Sequence, residues 1–127
     1  LEVAMSDATE EFFLELGRRG NEPLLRNATG TIRFDLHRGD GVERWVVAMK
    51  NGDVAVSRRQ VHADCVVRMD RALFDQLVRG RANAMAAVLR GVLSPEGDLG
   101  LLVLFQRLFP AASRSAERTA KITKGAA

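Results

Sequence analysis

A chain of 127 residues, 46% hydrophobic and 28% charged, is sized and balanced for one globular unit with one core. Nineteen basic residues face sixteen acidic ones for a net charge of +3. They are interspersed and tyrosine is absent, so the basic stripe and stacking platform of a nucleic-acid binder are missing and no such partner is expected.

In chain order, Leu1-Glu2-Val3-Ala4-Met5 lacks the basic-then-apolar pattern of a signal peptide, and Met5 reads as a natural start. Residues 7–17 are expected to form a helix: Asp7 caps it, Glu10 follows three residues later, and Phe12, Phe13 and Leu16 share a face, with Gly17 and Gly20 ending it. The polar stretch 18–29, containing Pro23, reads as a loop. The period then becomes two. Ile32, Phe34 and Leu36 alternate with Arg33, Asp35 and His37, which places Asp35 outward on a first strand. A turn at 38–41 leads to a second strand over 44–50, with Trp45, Val47 and Met49 on one face. Asn51-Gly52 is a strong hairpin signal, since both central positions of a type I′ turn need positive φ, and a third strand over 54–57 completes an antiparallel meander.

After a polar stretch, 64–69 reads as a fourth strand. Asp70 opens a helix carrying Leu73, Phe74, Leu77 and Val78, and a second helix over 82–89 turns Met85 and Leu89 inward. Residues 92–94 make a short fifth strand, Pro95-Glu96-Gly97 a turn, and Asp98 caps a last helix through Phe109 that is apolar on nearly every side. The domain is thus expected over 7–110, with 111–127 a disordered tail. Strands followed by clustered helices argue an α+β fold, one five-stranded, mostly antiparallel sheet with helices on one face.

Chemistry is sparse. Cys65 cannot form an intramolecular disulfide; it fits a reducing cytoplasm and, set in an apolar strand, reads as a buried core thiol. Neither His37 nor His62 has a triad beside it, and His62 with Asp64 lacks a third metal ligand. No phosphate-loop or dinucleotide pattern occurs, so neither cofactor nor metal is expected. Asp70 and Asp98 read as helix caps. Arg58-Arg59 and 79–81 read as solvated turns, or as basic groups near a cavity mouth able to attract acidic lipid head groups. The longest apolar run, 101–105, is far short of the roughly 20 residues that span a bilayer.

The segments Gly41, Trp45-Val46-Val47, Asn51-Gly52-Asp53 and Ala63-Asp64-Cys65-Val66-Val67 come in a telling order. Phe74, Leu77, Gly80, Asn83, Ala87, Gly91 and Leu93 follow, then Gly97-Asp98 before a leucine-rich helix. In that order and spacing the chain resembles the sterol carrier protein 2 family across about 8–109. The resemblance implies a sheet covered by helices with an apolar tunnel between them, holding a fatty acid, acyl-CoA, sterol or other lipid. By matching positions, the tunnel would be lined by Phe34, Leu36, Val47, Met49 and Val67 from strands, and by Phe74, Leu77, Met85, Leu89, Leu102, Phe105 and Phe109 from helices. Asn83 stands where many members have proline, Pro95 falls at the last strand, and Gly100 opens the last helix where a larger residue is usual.

The chain ends Lys124-Gly125-Ala126-Ala127, without a peroxisomal signal, and arginine outnumbers lysine as in GC-rich bacterial coding. An acyl or polyprenyl-type lipid is therefore expected over a sterol. Three readings stay open: a non-catalytic lipid carrier with transient membrane contact, an interaction or homodimerisation module of the same fold with a filled core, and an enzyme using Cys65 or an Asp–His pair.

Overall fold

The computed structural model describes residues 7–59 and 61–110, and the tail expected over 111–127 lies outside the described residues. Asp7 caps the first helix, α1 (Ala8–Arg19), by accepting from the Glu10 amide at 3.0 Å. Acidic residues in its first turn and arginines in its last complement the helix dipole. The helix does not stop at Gly17. It runs on to Gly20, which takes φ 67° and returns its N–H to the Leu16 carbonyl. Gly17 instead marks where α1 meets the sheet: a Cβ there would stand 3.2 Å from Val56 Cβ. A 3-10 turn at Pro23–Leu25 then leads into the sheet.

Strands β1 (Thr29–Arg38), β2 (Gly41–Lys50) and β3 (Asp53–Ser57) form the expected antiparallel meander, with Asn51 and Gly52 at φ 51° and 98° in the tight turn. After β3 the chain returns past β2 and β1 to reach the fourth strand. The crossing passes the outward side of the sheet, where Arg33 Nη1 donates to the Val61 carbonyl at 3.3 Å. β4 (Cys65–Asp70) enters parallel to β1, and β5 (Leu93–Gly97) pairs antiparallel with β4. The order is β3-β2-β1-β4-β5, a mixed sheet with a single parallel pairing.

The fifth strand is longer than its composition suggests. Pro95, Glu96 and Gly97 do not form a turn but continue the strand, Pro95 opposite Val67. β5 pairs with β4 alone, so it is an edge, where a missing N–H leaves no strand neighbour unpaired.

Helices α2 (Arg71–Val78), α3 (Ala84–Leu89) and α4 (Leu99–Phe105) complete the chain. Asn83 caps α3 through the Ala86 amide and Asp98 caps α4 through the Gly100 amide, whereas the Asp70 carboxylate makes no cap hydrogen bond to α2. The last helix ends earlier than expected, at Phe105, and continues as a 3-10 turn over Gln106–Leu108. It is also less uniformly buried: Leu101, Leu102 and Phe105 face the core while Leu99 and Val103 remain exposed. Gly100 is exposed beside the Asp98 carboxylate and opens no space in the interior.

Alternation on the sheet sets the core. Ile32, Phe34 and Leu36 face inward beside Trp45, Val47 and Met49 of β2 and Cys65, Val67 and Met69 of β4, against α1, α2 and α4. Each such side chain contributes roughly 1.5–3 kcal/mol when fully buried. Asp35 points outward as the alternation requires, yet it is only 4% exposed. Arg33 holds both its oxygens at 2.9 and 3.0 Å, and Arg44 and Arg68 stand at 3.5 and 3.9 Å, so arginines from three strands cover it.

A second polar cluster seats α1. The Arg71 guanidinium bridges the Asp7 carboxylate and, at 3.5 Å, Glu43 on β2. Burial by itself pushes the Asp7 carboxyl up, but the Glu10 amide and Arg71 outweigh it and hold it below its ordinary 3.8. A depressed carboxylate pKa stabilises the fold above the ordinary value, and that contribution is lost as pH falls through the lower folded-state pKa. Asp7→Asn is expected to be less stable than the parent at neutral pH. It should also show a flatter loss of stability as pH drops below about 4, read by urea unfolding along a pH series.

Gly97 takes φ 101°, and a Cβ there would meet the Asp64 carbonyl oxygen at 2.3 Å. Gly97→Ala should therefore cost at least about 2 kcal/mol in urea unfolding. Gly39→Ala, at φ 59° with nothing within 4 Å, should cost about 1 kcal/mol.

Candidate functional site

All six phenylalanines and the single tryptophan form one connected cluster between sheet and helices. Its axis is a stack. Phe13 of α1 lies on Trp45 of β2 at 4.7 Å between ring centroids, 9° from parallel, and on Phe74 of α2 at 5.0 Å and 16°. Offset aromatic contacts of this kind add roughly 0.5–1.5 kcal/mol beyond area burial. Trp45 Nε1 donates to Glu43 at 2.7 Å, which satisfies its one polar atom and ties the stack to the Arg71 cluster. The remaining face of the indole carries the Arg58 guanidinium, 4.2 Å from the ring centroid.

Beside this stack runs a groove of about 540 Å³ between α1 and the edge strand β3. Such a volume lies in the range of about 300–1,000 Å³ usual for small-molecule sites. Phe13, Leu14, Gly17 and Arg18 form its helix wall; Val54, Val56 and Arg58 form its strand wall, with Trp45 beneath. Phe13, Trp45 and Val54 belong to the core as well, so groove and core share these three side chains.

The residues expected to line a tunnel fall into three groups. Phe34, Leu36, Val47, Met49 and Val67 on the sheet, and Phe74, Leu77, Leu102 and Phe105 on α2 and α4, are buried together in the core cluster. Met85 and Phe109 are half-buried at its margin. Leu89 is the departure: it is 88% exposed, because α3 turns its small residues Ala84 and Ala87 inward instead.

The groove wall itself is absent from the sequence expectation. The signal was the two-residue alternation Val54, Val56, Arg58, which puts Arg58 on the inner face one step past the end of β3. Of the other arginines considered for a cavity mouth, Arg79 is tied to Asp75 at 2.7 Å at the end of α2, while Arg59 and Arg81 are exposed.

The side chains singled out for chemistry are set apart from one another. Cys65 is fully buried, and burial pushes its thiol up, the wrong direction for a nucleophile. His37 and His62 are exposed, at the end of β1 and in the 58–64 crossing. Among the described residues, no group of three His, Cys, Asp or Glu side chains is placed to hold a metal ion, and no helix is long and apolar enough to cross a membrane.

Comparison with known proteins places this geometry. The SCP-2 sterol transfer family matches residues 13–110. Hydroxysteroid dehydrogenase-like protein 2 of Xenopus laevis is 28% identical over 101 residues, covering 78% of this chain and 24% of that protein. Sterol carrier protein 2 of Bos taurus is 28% identical over 111 residues, covering 85% of this chain and 18% of that one. The chain thus spans about a quarter or less of these relatives' length. The solution structure of the sterol carrier protein domain 2 of Helicoverpa armigera shares the fold at a TM-score of 0.66 and 21% identity, over 84% of this chain and 89% of that one.

Proposed function

The chain belongs to the SCP-2 sterol transfer family, and from that premise we propose that residues 7–110 form a non-catalytic domain that binds and transfers a long-chain apolar lipid. The observation that carries this reading is the continuity of groove and core: Phe13, Trp45 and Val54 belong to both. A chain that enters there passes polar groups at the rim and then lies against Phe13, Trp45 and Val54. Each methylene it buries gains about 0.8 kcal/mol, so tight binding needs few polar contacts and tolerates varied chains.

On this proposal the groove is the mouth, and the layer between Phe34, Val47 and Val67 on the sheet and Phe74, Leu102 and Phe105 on the helices separates to admit the chain. Leu36, Met49 and Leu77 continue its walls, and Met85 and Phe109 lie at its far margin. The seven-residue α4, seated by three buried side chains, is the element proposed to move. Close fit between α1 and β3 at Gly17 favours one flexible acyl or polyprenyl chain over fused rings. Transient membrane contact and a cytoplasmic setting, where Cys65 stays a thiol, belong to the same proposal.

One observation favours the second reading, a filled-core interaction module. The rings of Phe13, Phe34, Phe74 and Phe105 already stand in contact, with centroids 5.0–5.5 Å apart. Native mass spectrometry separates the two. The carrier should take up one equivalent of a long-chain lipid after solvent extraction, and the module should remain at its unliganded mass at every lipid concentration.

A further inference from the structure

The turn between α3 and β5 displays apolar side chains that the fold does not use. At the end of α3, Leu89 is 88% exposed and Val92 is 45% exposed, with the exposed Arg90 between them. The backbone of the turn is fixed: the Arg90 and Gly91 amides donate to the Ala86 and Val88 carbonyls, the Val92 amide donates to Ala87, and Gly91 takes φ 78°. Ala84, Ala87 and Leu93 are buried beneath it, so the tip is pinned from below while Leu89 and Val92 are held outward. Charge in this part of the chain has one sign. From Gln76 to Pro95 it carries Arg79, Arg81 and Arg90 and no acidic residue. Arg79 is paired with Asp75, whereas among the described residues Arg81 and Arg90 form no ion pair. The longer helix α1 offers the opposite: it exposes Glu10, Glu11 and Glu15, and its Arg18 and Arg19 are engaged by Glu15. Two apolar tips around one unpaired cation match an anionic bilayer, whose acyl boundary accepts the tips while its phosphates accept the guanidinium.

We propose that the turn from Leu89 to Val92 is the point at which this domain docks on a bilayer carrying anionic phospholipid, with Leu89 and Val92 entering the interface and Arg90 held among the phosphates. The acidic face of α1 stays off that surface. This rests on the lipid-transfer reading, because a carrier has to meet a membrane to load or deliver, and adds to it the face that makes the contact.

The test is co-sedimentation of the solvent-extracted full chain with vesicles of phosphatidylcholine alone and of phosphatidylcholine mixed with phosphatidylglycerol, at low and high salt. The parent should partition better onto the mixed vesicles, by a margin that salt reduces. Arg90→Gln should lower partition onto the mixed vesicles about fivefold, and Leu89→Ser should lower it about tenfold on both. Leu24→Ser, which removes a side chain 48% exposed on the 3-10 turn before β1, should behave as the parent. All three variants should take up hexadecanoate as the parent does, read by native mass spectrometry, which also shows that they are folded. Equal partition of parent and Leu89→Ser, an equal loss in Leu24→Ser, or no preference for the mixed vesicles, with uptake intact, would overturn this inference alone. No partition onto either vesicle would overturn it too, and would leave the tip to a protein partner. Absence of uptake by the parent would overturn the lipid-transfer reading on which it rests.

Discussion

Phe13 is the residue on which the two layers are joined. One face of its ring lies on Trp45 of the sheet and the other on Phe74 of α2, so a single side chain from α1 is inserted between strand and helix. Because Trp45 in turn gives its N–H to Glu43, and Glu43 meets Arg71, the stack is continued by a polar chain to the Asp7 cap of α1 itself. The helix is thereby held at its N-terminus by charge and in its middle by ring contact. Toward its C-terminus Leu16 enters the core, Gly17 meets Val56, and the Gly20 carbonyl accepts from the Val54 amide at 3.0 Å; the groove lies beside these contacts. The position of the candidate site follows from where α1 is held.

The outward face of the sheet obeys a different constraint. It mixes Val46, Ala48 and Val66 with charged side chains, and its buried carboxylate, Asp35, survives burial because Arg33, Arg44 and Arg68 surround it. Arg58, one step past β3, turns its side chain to the inner face over Trp45 while its exposure keeps the head in water.

Much of this was legible in the residues alone. Periods of two and 3.6 located the strands and helices, Asn51-Gly52 located its turn, and the ordered set around Trp45, Asp64-Cys65 and Gly97-Asp98 pointed to the family, which the match over 13–110 bears out. What stayed hidden depended on distant partners. Asp35 reads as a solvated strand residue because the arginines that bury it lie on three different strands. Pro95 reads as a turn because nothing local says that its strand is an edge. Leu89 and Met85, four apart, read as an inward stripe because large side chains draw attention, whereas Ala84 and Ala87, three apart, make the actual contact. Gly17 reads as a stop signal, and its role appears only when Val56 is placed against it.

The central claim is that a lipid chain enters beside the Trp45–Phe13 stack. Trp45 is the only tryptophan, so its fluorescence reports this place alone. Titration with a fatty acid brominated along its chain, compared with the same acid unbrominated, measures contact directly, since bromine quenches an indole that it touches. The account predicts strong quenching of Trp45 by the brominated acid and none by the plain one, at matched uptake. Full uptake of the brominated acid with Trp45 emission unchanged would contradict it, and would place the lipid elsewhere in the fold.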